Sequence, residues 1–435
     1  MQAINRKTAP AFGQLEKIDI IRASEKKLDN GILLYYVSAD IHDLVKIEFI
    51  FPAGKWFDTK PMISFVTNKM LTEGTKNKTA AEIAAAIDYY GAFLQTETTA
   101  DFATVCIFSL NKHLSKLLPV VKEILTEPLF PEKEKEIFIR NKKQQLEISN
   151  EQVDYTARKK FAEALFGSAH PYGHYVKPEE YDAVEQQYMI SFYRQHYNYR
   201  NCRIIVSGKA DDNVLSLVNR TFGTDKWNDT GESSLLTMPV HTPSPSPVKN
   251  NHFEKKDAVQ FAIRIGKPLF NKTHHDYPGL QVLNTVLGGY FGSRLMSNIR
   301  EDKGFTYGIG SALVSLTNAG YLYIATEVGA EVCNRAVDEI YAEIARLAEE
   351  PVGKDELQLV RNYIMGTFLK SIDGPFALAD KFKAIMLYGL DYSYYDTFIS
   401  TVQNITPDGL LGLAKKYFGR DTFYQVTVGK SFEKS

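Results

Sequence analysis

The sequence predicts an α+β fold made of two similar domains, each a mainly antiparallel sheet with helices packed on one face. Three observations lead to this. At 435 residues the chain is longer than one ordinary hydrophobic core sustains. A stretch rich in Pro, Ser, Thr and Asn, TDKWNDTGESSLLTMPVHTPSPSPVKNN at 224–251, cuts it into nearly equal pieces and reads as a linker. The pieces also repeat one another. Arg140-Asn141 and Arg361-Asn362 each lie in a charged helix that follows a proline (361 − 140 = 221). Gly208-Lys209 and Gly429-Lys430 each close an apolar strand after an aromatic-rich helix, at the same shift (429 − 208 = 221). One element order at one spacing is the mark of a duplication. The domains are placed at 1–225 and 252–435, with 226–251 as linker.

Within each half the pattern runs strand, helix, strands, helices. Residues 33–51, LLYYVSADIHDLVKIEFIF, alternate apolar and polar as strands do. TAAEIAAAIDYY at 79–90 predicts a helix, with Thr79 as N-cap, Glu82 completing a capping box and Gly91 as the stop. Two strands are expected over 93–110, then a long helical region from Pro131 to about Gln152. In the second half, a helix over 278–303 gives way at Gly304 to strands 305–314 and 319–327, then a helix over 331–348.

Composition excludes several classes. With 44% apolar and 24% charged residues the chain is globular rather than disordered. A net charge of −1, without a long Lys/Arg run, argues against a nucleic-acid partner. Cys106, Cys202 and Cys333 are odd in number and far apart, which favours reduced, buried thiols over disulfides or a zinc knuckle. No apolar stretch has the length of a membrane span, and MQAINRKTAPAFGQLEKID lacks the apolar core of a signal peptide. A cytoplasmic protein without a membrane partner is expected. No nucleophile elbow, phosphate loop or clear dinucleotide fingerprint is present.

The segments PAGKWFD, MLTEGTKNKTAAEI, PLFPEKEKE, HPYG and LGGYFGSRLMSNIREDKGFTYGIGS carry a family resemblance. The chain resembles the pitrilysin/insulinase-type zinc peptidases, in the branch of roughly 50 kDa subunits that includes the mitochondrial processing peptidases. In that family an inverted His-x-x-Glu-His helix supplies two zinc ligands and a general base, and a distal Glu is the third ligand. Anchored on Met70-Leu71, the resemblance puts Phe65 and Lys69 at the two His positions and Asn68 at the base; the distal Glu falls at Gln145. None of the four suits the chemistry. Phe65 has no lone pair, Asn68 cannot take a proton at neutral pH, Lys69 brings a cation, and Gln145 lacks the charge of Glu. No metal is therefore expected in this chain. Of the histidines, His170/His174 in HPYGH are interrupted by Pro171 and Gly173, and His274-His275 read as a loop. His42, His113, His196, His241 and His252 are isolated.

In NIREDKGFTYGIG, Arg300 and Tyr307 match the Arg/Tyr pair of the family's C-terminal half. Arg300 is expected near a helix end and Tyr307 entering the next strand, with guanidinium and phenol brought together over one groove. Both are donors suited to a peptide carbonyl or its oxyanion. The resemblance therefore implies the non-catalytic subunit of a heterodimeric zinc metalloendopeptidase, without activity of its own. It would close the chamber and present Arg300 and Tyr307 to a similar-sized His-x-x-Glu-His partner that holds the zinc. An unfolded peptide would add as a strand to a sheet edge in the partner's first domain. The alternative is a purely structural subunit with no catalytic contribution. An autonomous metal-independent enzyme lacks any nucleophile constellation.

Overall fold

The computed structural model describes residues 18–39, 42–229 and 238–431. Most of the N-terminal stretch read above, and residues 230–237 of the linker, lie outside the described residues. The first half runs β1 (Ser24–Lys27), β2 (Leu33–Ser38), β3 (Leu44–Phe51), α1 (Ile63–Met70), α2 (Ala80–Asp88), β4 (Phe93–Thr98) and β5 (Ala103–Leu110). It continues with α3 (Leu114–Thr126), α4 (Glu132–Asn150), α5 (Val153–Phe166), α6 (Gln186–His196), β6 (Arg203–Gly208) and α7 (Asp212–Val218). The second half runs β7 (Asn250–Glu254), β8 (Gln260–Leu269), α8 (Tyr277–Asn284), β9 (Ile309–Leu316), β10 (Ala319–Gly329) and α9 (Cys333–Glu349). Then come α10 (Lys354–Lys370), α11 (Gly374–Met386), α12 (Ser393–Asn404), α13 (Pro407–Tyr417) and β11 (Tyr424–Gly429).

The duplication is visible in the strand order. One sheet is ordered β1-β2-β6-β3-β5-β4 and the other β7-β11-β8-β10-β9, so the second repeats the first without β1. In each sheet the strand that closes its half makes the parallel pairing, β6 with β2 and β11 with β7, and every other pairing is antiparallel. The repeated Gly-Lys dipeptides have a steric reason. A Cβ on Gly208, whose φ is +106°, would meet the Leu44 carbonyl oxygen at 2.2 Å, and one on Gly429 would meet the Phe261 ring at 2.5 Å.

Each sheet packs its own half's helices on one face. Val45, Ile47, Phe49 and Phe51 of β3 point into a core shared with α1, α3 and α6. The opposite face receives one helix from the other half: α5 packs on β8 and β11, while α11 packs on β6 and β2. These helices correspond under the duplication (374 − 153 = 221). The exchange explains why β3 is buried on both faces although its sequence alternates. Lys46 and Glu48 point at α11, where Lys46 Nζ lies 2.9 Å from Asp380 and Lys383 Nζ 2.7 Å from Glu48. On the other exchanged helix, Asp154 lies 2.5 Å from Arg264 of β8. A further junction binds the halves: Asp101 accepts from the Tyr172 hydroxyl at 2.5 Å and from the Thr317 N–H at 3.1 Å.

Several expectations shift in detail. The capping box at Thr79/Glu82 is present, and Gly91 ends that helix with φ +61°. The helix expected over 278–303 is broken: α8 runs into a wide turn at Thr285–Gly289, and the helix resumes in a second wide turn, Met296–Asp302. The strand expected from 305 begins at Ile309. β7 begins at Asn250, two residues ahead of the boundary placed at 252. Among the described residues no helix is long and apolar enough to cross a membrane. The three cysteines are free and buried.

The first core carries a titration signature. His196 is buried against Phe192 and Phe57, and its Nδ1 lies 2.7 Å from the Pro52 carbonyl oxygen. Burial holds its pKa down to about 4. A base depressed in the folded state stabilises above its unfolded pKa of about 6.5, and that contribution disappears as pH falls through the folded value. The unfolding free energy from urea titrations should therefore drop between about pH 6.5 and about pH 4, by up to about 3 kcal/mol from this residue. His196→Gln should flatten that segment of the profile; an unchanged slope would contradict the assignment.

Candidate functional site

The α1 helix is held at both ends. Asp58 Oδ1 accepts the Ser64 N–H at 2.7 Å in the first turn. Val66 and Met70 are fully buried, each worth about 1.5–3 kcal/mol relative to exposure. The turn after it is fixed by Glu123, whose carboxylate accepts from the Thr75 hydroxyl at 2.6 Å and the Asn77 N–H at 3.1 Å, and pairs with Lys78 at 2.6 Å. MLTEGTKNKT is thus a scaffold segment, its turn held by the Glu123 carboxylate.

Between α1, α4 and the chain after α5 lies a cavity of about 510 Å³, closed on the second half's side by Leu316 and Tyr321. Phe65 and Gln145 both line it, so the structure brings these two predicted positions together. Between them stands Lys142. Its Nζ is 5.4 Å from the Phe65 ring centre and donates to Gln145 Oε1 at 2.9 Å. Phe65 also packs on Phe138, 5.8 Å between ring centres. Lys69 is turned to Glu73 at 2.9 Å. Asn68 is buried and faces the edge strand of the sheet. Its Nδ2 donates to the Glu97 carbonyl at 2.7 Å and to Thr98 Oγ1 at 3.1 Å, with the Thr104 carbonyl at 3.4 Å.

This donor set does not fit a zinc ion. Structural and catalytic zinc take thiolate, imidazole or carboxylate ligands. Here a ring, an ammonium and two amides stand at the four positions, and a second ammonium fills the space between them. The same cavity holds ionisable groups that sequence reasoning did not single out, although both lie in PAGKWFD. Burial lowers Lys55 to about 8, and its Nζ donates to the His174 carbonyl. Burial raises Asp58 to about 6 against the opposing Ser64 hydrogen bonds.

The histidines are otherwise occupied. His170 Nδ1 accepts from the Tyr172 N–H at 3.1 Å, and its ring packs on Trp56 and Phe166. His174 Nε2 lies 2.9 Å from Glu180. Among the described residues, His274, His275 and Asp276 bring candidate ligand atoms within 4.8 Å of one another. The His274 Nδ1 already accepts the Asp276 N–H at 3.1 Å, and the Asp276 carboxylate accepts from Lys416 at 2.7 Å and Tyr417 at 2.5 Å.

Arg300 sits in the turn Met296–Asp302, its guanidinium 4.6 Å from the ring centre of exposed Phe291 and 3.7 Å from Glu301. Tyr307 precedes β9 by two residues rather than entering it, because Thr306 is tied at 2.7 Å to the Glu327 carbonyl and at 3.0 Å to the Gly308 carbonyl. Its side chain is 96% exposed. No hydrogen bond or cation–π contact joins Arg300 to Tyr307: Tyr307 stands exposed, whereas Arg300 is half-buried, its side chain 33% exposed between Phe291 and Glu301.

Two repeated sheets, and a first helix that bears none of the expected zinc ligands, fit the peptidase-family resemblance that the sequence carries. The comparisons agree. Residues 37–178 match the model described as Insulinase (Peptidase family M16), and residues 183–364 match the Peptidase M16 inactive domain. The chain belongs to the M16 peptidase family. It is 24% identical to the uncharacterized zinc protease YmxG of Bacillus subtilis, over 82% of this chain and 86% of that one. It is 22% identical to the probable inactive metalloprotease YmfF of the same organism, over 57% of each. Among solved structures, the peptidase M16 inactive domain from Pseudomonas fluorescens superposes with a TM-score of 0.84 at 20% identity, covering 95% of this chain and 100% of that one.

Proposed function

We propose that the chain is the non-catalytic subunit of a heterodimeric zinc metallopeptidase. It closes the chamber around a partner of similar size that carries His-x-x-Glu-His and the zinc. The supporting observation is a contrast within one molecule. The α1 positions carry no zinc-ligand set, with Lys142 set between Phe65 and Gln145, whereas Tyr307 stands exposed and half-buried Arg300 has only a 3.7 Å contact with Glu301 and the Phe291 ring. An arginine paired only loosely with its neighbour and a free phenol are donors awaiting an acceptor from outside the chain.

In this reading an unfolded peptide adds as a strand to the partner's first sheet. The partner supplies the metal chemistry. Arg300 and Tyr307 donate to the peptide carbonyl oxygen and hold it as negative charge develops there. The chain works where it is made, in the cytoplasm.

Capture of the tagged full-length chain from its native organism tests the pairing. A His-x-x-Glu-His chain of about the same length should co-purify in equal amount, and recovery of this chain alone would overturn the proposal. The chain freed of its partner should contain substoichiometric zinc by mass spectrometry of the metal.

A further inference from the structure

The duplication places a second cavity, of about 370 Å³, in the second half between α8, α10, α11 and α12. It holds two lysines, Lys272 and Lys381, and its lining contains no carboxylate. The remaining wall is aromatic and hydroxylic, with Tyr363, Phe368, Tyr394 and Phe398 beside Thr367 and Ser371.

Lys272 has a structural role. Its Nζ donates at 3.1 Å to the Ala384 carbonyl in the last turn of α11, where a helix favours a cation, and lies 4.4 Å from the Tyr388 ring centre. Lys381 has none of this kind. It lies on the face of α11 opposite the first sheet. Its ammonium has only ring contacts, 5.2 Å to Phe368 and 5.9 Å to Tyr395, and no hydrogen bond or ion pair among the described residues. Burial lowers both lysines, Lys272 to about 8 with the nearby Lys381 charge adding to the effect. The cavity of the first half contains Asp58 as a counter-charge to Lys55; this one contains nothing of the sort. Half-buried cations without a counter-ion are costly unless an anion joins them.

We propose that this cavity is a binding site for a small organic anion, a carboxylate or phosphate head on an aromatic or branched apolar body. Lys381 and Lys272 hold the head, and the Tyr363, Phe368 and Phe398 rings cover the body. The volume suits such a ligand, since small-molecule sites span about 300–1,000 Å³.

Calorimetric titration of the full chain with 3-phenylpropionate, phenyl phosphate and the neutral 3-phenylpropan-1-ol tests this. At least one anion should bind saturably and about tenfold or more tighter than the alcohol. The tighter anion identifies the head group. Lys381→Met should weaken that binding about tenfold or more, and Lys381→Gln likewise, with melting temperatures in the absence of ligand that do not fall, because no hydrogen bond is lost and a half-buried cation is removed. Lys112→Met removes the same charge from a remote exposed position and should change nothing. Absence of saturable anion binding, equal binding of the alcohol, or wild-type affinity in both Lys381 variants would overturn the proposal.

Discussion

Arg300→Ala in the assembled two-chain enzyme should lower peptide hydrolysis by about 10²–10³-fold, the usual effect of removing one oxyanion donor. Tyr307→Phe removes a single hydroxyl and should act in the same range. Neither change should loosen the complex. Tyr307 is 96% exposed, and Arg300 makes only a 3.7 Å ion pair and a stacking contact with Phe291, so the fold does not depend on either. The loss should fall on kcat and on kcat/KM together, because the interaction strengthens only as the carbonyl acquires charge. Full activity in both variants, with the complex intact, would leave the chain a structural subunit.

The second large effect concerns stability. Asn68→Asp, an isosteric change at the general-base position, should destabilise the chain by about 2–4 kcal/mol at neutral pH. Asn68 donates to the Glu97 carbonyl at 2.7 Å and to Thr98 Oγ1 at 3.1 Å, with the Thr104 carbonyl at 3.4 Å, in a fully buried setting. A carboxylate there would turn acceptors toward acceptors and lose the link between α1 and the edge strand. Burial would raise the new carboxyl's pKa above its unfolded value. The variant should thus regain stability as pH falls, when the group can again donate a proton. Urea unfolding at neutral and mildly acidic pH measures both parts. A variant as stable as the parent at neutral pH would show that Asn68 is not structural.

Asn68 also shows where sequence reading succeeds and where it stops. That Asn cannot serve as a general base follows from its chemistry. That it ties the helix to β4 does not, since Glu97, Thr98 and Thr104 are some 30 residues away (98 − 68 = 30). The duplication was legible because Gly208 and Gly429 have no room for a Cβ and so recur at a fixed spacing. The exchange of α5 and α11 between the halves was not. Lys46 and Glu48 look like the solvated face of β3 and are buried instead, because α11 supplies Asp380 and Lys383 from the far end of the chain. Lys142 reads as a surface lysine on a charged helix, yet its ammonium fills the space between Phe65 and Gln145. The Arg300/Tyr307 pair came from resemblance and not from periodicity. The later start of β9 was hidden because Thr306 is fixed by Glu327 across the sheet.

The most direct measurement compares this chain, its His-x-x-Glu-His partner and their equimolar mixture for zinc content and peptide hydrolysis under one set of conditions. The account predicts zinc in the partner alone, no hydrolysis by this chain, and full activity only in the mixture. Stoichiometric zinc bound to this chain with hydrolysis by it alone, or a partner equally active without it, would contradict the account.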